Sequence, residues 1–101
     1  MKRIINGKKY DTSTAALVCE RSYGNPRDFD WFEERLYRKS TGEFFLHGVG
    51  GAMTGYARAI GQNEWSGGEQ ITPYSEDEAR AFAEENMDAD EYEQVFGEVE
   101  E

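Results

Sequence analysis

Thiol and imidazole chemistry is nearly absent from this chain, which holds one cysteine, Cys19, and one histidine, His47, in 101 residues. A lone thiol closes no disulfide within the chain and builds no thiolate metal cage. A Ser-His or Cys-His pair would have to use the single imidazole, and a metal site would have to rest on carboxylates. Long apolar runs are missing too, since nothing approaches the roughly 20 residues needed to span a bilayer. The basic segment Met1 to Tyr10 lacks the apolar core of a signal peptide. These absences predict a reduced, cytoplasmic protein without a membrane span.

Positive charge is scarce in one half only. Residues 61 to 101 carry a single base, Arg80, against fourteen acids, whereas residues 1 to 60 carry ten bases against seven acids. The net charge of -10 therefore belongs to the back half. Such a distribution opposes direct binding of nucleic acid or an anionic membrane there, and favours a cationic partner.

What is plentiful is aromatic: 6 Phe, 6 Tyr and 2 Trp. A chain of this length buries one modest core, and these rings, at about 150 to 250 Å² each, supply most of it. The densest stretch, Leu36 to Gly48, reads as a β-hairpin, with two aromatic-rich runs around a polar break ending in Gly42. Alternation puts Leu36, Phe44 and Leu46 on one face and Tyr37 and Phe45 on the other. A strand over 31–38 leads into it, with Glu34 as an edge or salt-bridge position.

Asn6-Gly7 predicts a type I′ hairpin between Lys2–Ile5 and Lys8–Tyr10. Asp11 or Thr12 can cap a short helix through Ala15, Ala16 and Leu17, carrying Cys19 as a small buried hydrophobe. Residues 22–30 read as a loop. Met53, Tyr56, Ala57 and Ile60 fall at helical spacing, with Gly61 as C-cap. Gln62 to Gly68 is a glycine-rich loop around Trp65, and Glu69 to Pro73 an edge strand, because proline cannot donate to a ladder. Ser75-Glu76-Asp77-Glu78 is a capping box opening a helix with Ala79, Phe82 and Ala83 inward. Asp88 caps a second helix, with Ala89, Tyr92, Val95 and Phe96 inward and Gly97 at its end. The expected fold is α+β: a small antiparallel sheet around the central hairpin, packed by short helices, the acidic ones last. Residues 1–97 form one compact domain in this reading, and 98–101 an acidic tail.

Catalytic patterns are not met. Gly48-Val49-Gly50-Gly51 lacks the Lys-Ser/Thr of a phosphate loop and the spacing of a dinucleotide loop, so close packing is its expected role. Asp88-Ala89-Asp90-Glu91 lacks the glycine and the twelfth-position Glu of an EF-hand. The many carboxylates look solvated, whereas a general acid needs an apolar pocket. The sequence thus predicts no enzyme, cofactor or metal.

The acids themselves carry the functional signal. Residues 76 to 93 hold nine acids and one Arg; at 1.5 Å per helical residue this is about one net charge per 3.4 Å, close to the spacing along one DNA strand. Helical rotation turns Asp77, Glu84, Glu85, Asp90 and Glu91 away from the apolar stripes, and these five form the expected partner-binding face. The bland counterpart is a solvated outer face that only confers solubility.

The pattern Leu36-Tyr37-Arg38-Lys39-Ser40-Thr41-Gly42-Glu43-Phe44-Phe45-Leu46, with Gly50-Gly51, Tyr56-Ala57, Trp65-Ser66-Gly67-Gly68-Glu69 and Asp88-Ala89-Asp90-Glu91-Tyr92-Glu93, resembles small acidic proteins of bacterial phages and conjugative elements, a group in which anti-CRISPR proteins occur. The likeness runs from Ile4 to Gly97. It implies an inhibitor that occupies the DNA-holding surface of a CRISPR-Cas effector. An antirestriction or anti-repressor protein, aimed at another DNA-binding host protein, would use the same charge, and an accessory structural module would use it only to stay dissolved.

Overall fold

The computed structural model describes residues 1–101 and is α+β. Its centre is the expected hairpin: β4 (Phe32–Arg38) and β5 (Phe44–Gly50) pair in register around Leu36 opposite Leu46, with Tyr37 opposite Phe45. Gly42, at φ 93°, closes the turn, and the Lys39 and Glu43 backbones meet at 2.8 Å. Two further strands, β3 (Ala16–Tyr23) and β8 (Gly68–Tyr74), flank the hairpin in an antiparallel sheet of order β3-β4-β5-β8. Pro73 accordingly stands on an edge strand.

Each face of the sheet receives a cover from one end of the chain. The amino-terminal hairpin, β1 (Lys2–Ile5) and β2 (Lys8–Asp11), turns at Asn6 and Gly7 with φ of 52° and 77°, both left-handed as a type I′ turn requires. It lays Tyr10 on Phe45 and Ile71. Helices α1 (Glu76–Asn86) and α2 (Ala89–Phe96) close the opposite face, burying Ala79, Phe82, Ala83 and Tyr92 against Leu36, Phe44, Leu46 and Cys19.

Several local expectations are corrected. The helix from Asp11 through Leu17 is instead a turn followed by β3. Asp11 does act as a capping acceptor, from the Ser13 N–H at 2.9 Å and its hydroxyl at 2.7 Å, but Ala16 onward gains more from pairing with β4. Cys19 therefore lies on a strand, just past a bulge between Leu17 and Cys19. The loop foreseen over 22–30 starts only after Tyr23, where β3 ends.

The helix over 52–60 is also absent. Thr54 folds the segment into turns, donating to the Gly51 carbonyl at 2.8 Å and accepting from the Tyr56 N–H at 3.2 Å. Gly61 is no C-cap. It pairs with Glu64 in a small hairpin of β6 (Arg58–Gly61) and β7 (Glu64–Ser66), so the loop expected over 62–68 is largely strand. Asn63, at φ 61°, supplies the left-handed turn residue. This hairpin leaves Ile60 and Trp65 exposed.

The Gly48–Gly51 segment serves close approach. A Cβ at Gly48 would fall within the Tyr56 ring, and one at Gly51 would stand 2.5 Å from the Phe29 carbonyl oxygen. Tyr56 thus occupies the space above Gly48 that a side chain there would fill.

Candidate acidic interface

Both acidic helices begin as their cap residues dictate. The Ser75 hydroxyl accepts from the Glu78 N–H at 3.1 Å, while the Glu78 carboxylate accepts from the Ser75 N–H at 2.9 Å, the reciprocal pair of a capping box. Asp88 accepts from the Glu91 N–H at 2.8 Å. Ala79, Phe82, Ala83 and Tyr92 face inward as expected, whereas Ala89, expected inward, is exposed in the first turn of α2, outside the core. The outward acids follow from helical rotation.

Arg80, the single base of this region, is spent inside the helical layer. Its guanidinium lies 5.0 Å from the Phe96 ring centre and 3.4 Å from Glu76. It ties α2 back to α1 and neutralises little of the outer face.

All five acids singled out from the sequence are exposed, but they are not equivalent. Asp77, Glu84 and Asp90 have no cationic side chain within ion-pair distance. Glu85 reaches Arg21 of β3 at 3.6 Å, a pairing invisible in the sequence. Glu91 turns toward the Asp88 cap; the hydrogen bond with Asp88, and then its charge, raise the Glu91 carboxyl above its ordinary range, while the Glu91 N–H lowers Asp88.

Between the end of α1, the start of α2 and the tail lies a notch of about 380 Å³. Met87, Ala89, Tyr92 and Val99 give it an apolar floor, and Glu84, Asp88 and Glu93 rim it. The Glu93 carboxylate also accepts from the Val99 N–H at 2.9 Å, folding the tail against the notch. Helical phase alone did not bring these residues together, because the notch needs the break at Met87 and the returning tail.

Beside the helices, a polar network fastens the sheet to the 51–57 segment. Arg21 holds Glu34 at 2.6 Å, and Glu34 in turn accepts from the Tyr56 hydroxyl. Burial first, and the Glu34 carboxylate second, push the Tyr56 phenol upward. Glu34 is therefore a salt-bridge residue of an interior strand. His47 is half-buried with Nε2 2.8 Å from Glu69. No three His, Cys, Asp or Glu side chains converge to hold a metal ion, and no helix is long and apolar enough to cross a membrane.

Cys19 is buried under the helices, which pushes its thiol from 9.0 up to about 11, with the Glu91 charge as a smaller cause. A thiol raised on folding favours the native state fully below its unfolded value, and that contribution is lost as pH rises from about 9 toward 11. Alkylation by iodoacetamide at pH 8.5 is expected to be far slower in the native protein than in concentrated guanidinium, and the melting temperature to fall between pH 9 and 11 by less in Cys19→Ala than in the parent. Equal alkylation rates in both states would disprove the burial of this thiol.

Set against models of protein families, curated proteins and solved structures, the chain matches none.

Proposed function

We propose that the protein is a non-enzymatic, anti-CRISPR type inhibitor acting in the bacterial cytoplasm, which binds a CRISPR-Cas effector and blocks its DNA binding through the acidic face of α1 and α2. The observation that carries this reading is the notch at the helix junction. Its apolar floor fits the aliphatic stem of a lysine or arginine, and Glu84, Asp88 and Glu93 meet the charged head. The unpaired Asp77, Glu84 and Asp90 extend the negative surface around it.

Effector channels that hold nucleic acid are lined with such bases and read its backbone and shape. Exposed pairs contribute little singly, at most about 1 kcal/mol each, so several must act together. The resemblance to small acidic mobile-element proteins supports the choice of partner. The charge supports the site.

The test reverses Asp77, Glu84 and Asp90 to Lys, leaving both caps, both apolar stripes and the Glu85–Arg21 pair in place. Folding is expected to persist, since exposed substitutions usually cost about 0.5 kcal/mol or less. Affinity for the effector, measured in competition with its target DNA, is expected to fall by about tenfold or more. A control reversing Asp28, Asp30 and Glu64 should lose much less. Undiminished binding by the first variant, or undiminished binding of the parent to an effector already loaded with DNA, would reject the mimicry. Capture of a restriction subunit or a repressor in place of a Cas protein would move the same surface to the antirestriction or anti-repressor reading.

A further inference from the structure

The outer edge of β8 is open. This strand ends the four-stranded sheet, and no turn or loop backbone bonds to residues 68–74. In an antiparallel edge strand every second residue turns its N–H and C=O outward, so unpaired donors and acceptors alternate along it. The opposite edge, β3, is disrupted by the bulge between Leu17 and Cys19, a device that discourages strand addition. β8 pairs with β5 without any such shift, and only Pro73 blunts one end.

A groove of about 1260 Å³ follows this edge. Residues 69 to 73 line it without a gap, although Glu69 and Ile71 belong to one sheet face and Gln70 and Thr72 to the other. Lining by both sets fits a groove that runs along the edge of the strand. Arg3, Arg27, Arg58 and the exposed Trp65 also line it, and the three bases outnumber its two acids, Asp28 and Glu69. None of the three arginines has a carboxylate within ion-pair distance, in a chain whose acids outnumber its bases 21 to 11.

We infer that this groove binds an extended, acidic segment of a partner polypeptide, which adds to β8 as a fifth strand while its carboxylates meet Arg3, Arg27 and Arg58. The main-chain edge selects a polypeptide, because a phosphodiester backbone supplies acceptors only and would leave the outward carbonyls of β8 unmet. The arginines select acids. Pairing over Gly68 to Thr72 takes a segment of about five residues, or about 17 Å of extended chain. The site is independent of the acidic helices and lies on other elements of the fold.

The test uses the full chain and four labelled probes: a decapeptide in which Glu-Glu and Thr-Thr pairs alternate, so that both sheet faces receive carboxylates, its Lys-for-Glu counterpart, the acidic peptide N-methylated at alternate amides, and a ten-residue oligothymidylate. The acidic peptide is expected to bind about tenfold or more tighter than each of the others. It should also slow amide exchange at residues 69–72. Arg27→Gln with Arg58→Gln, both exposed and unpaired so that folding is unaffected, should weaken it by a similar factor. Equal binding of the N-methylated peptide would overturn strand addition, and equal binding of the Lys peptide would overturn the role of the arginines. Preference for the oligothymidylate would assign the groove to nucleic acid instead, and no binding of the acidic peptide at millimolar concentration would remove the site.

Discussion

Phe45→Ala is expected to cost the protein about 3 to 5 kcal/mol, because it removes a ring that is 0 % exposed on the interior strand β5. Tyr37 stacks on this ring at 5.3 Å, and Tyr10 meets it edge-on at 5.6 Å. The loss therefore undoes the seat of the amino-terminal hairpin as well as a core side chain. Small domains hold about 5 to 15 kcal/mol in all. With about 4 to 8 °C lost per kcal/mol at this size, the melting temperature should drop by at least about 12 °C. Phe29→Ala makes the contrast, since that ring is 68 % exposed and its truncation should leave the transition nearly in place. Thermal circular dichroism of the two variants decides the matter. A Phe45→Ala protein melting within about two degrees of the parent would mean that the sheet is not buried as described.

Gly48→Ala is expected to destabilise the fold by about 2 to 4 kcal/mol, despite alanine being the better strand residue. The added methyl displaces the Tyr56 ring, at an overpacking cost of about 1 to 3 kcal/mol. It also breaks the hydrogen bond from Tyr56 to Glu34, where a bond to a charged group contributes about 1.5 to 3 kcal/mol. The sign should reverse once the ring is gone. In a Tyr56→Ala background the position is vacant, and alanine should then stabilise the strand by about 0.5 to 1 kcal/mol relative to glycine. Denaturant unfolding of the four proteins in this double-mutant cycle measures the coupling. Additive effects would show that Gly48 is not kept small by Tyr56.

The contrast between these two positions explains what the sequence discloses. Phe45 announces itself through alternation with Phe44 and Leu46, and Asn6-Gly7 and Ser75 to Glu78 announce themselves because each of their interactions closes within a few residues. The errors arose where a distant segment decided. Ala15-Ala16-Leu17 passes for a helix until Arg38 and Tyr37 are available as ladder partners. Met53, Tyr56, Ala57 and Ile60 have helical spacing by coincidence, for Tyr56 is drawn to Glu34 and Gly48 while Met53 and Ile60 point outward. At the candidate interface, helical phase was enough to expose the five acids. It could not show that Glu85 leans on Arg21 or that Glu91 faces Asp88, nor that Met87 and Val99 complete a notch. The groove beside β8 was illegible for the same reason, its arginines being scattered over three separate segments.

The docking of opposite chain ends on opposite faces of one sheet has a consequence for the order of assembly during synthesis. Tyr10 emerges early yet must wait for Phe45 and Ile71, and Leu36, Phe44 and Leu46 must wait for Phe82 and Tyr92. Until residue 96 is made, the central hairpin has at least one bare apolar face, and strands in that condition are prone to pair with the wrong partner. The contacts that matter most are long-range, so closure should be slow compared with that of a helical bundle of similar length. The carboxylates crowded into the last segment arrive together with the only cover for that face, and their like charge opposes association of two such chains at that stage.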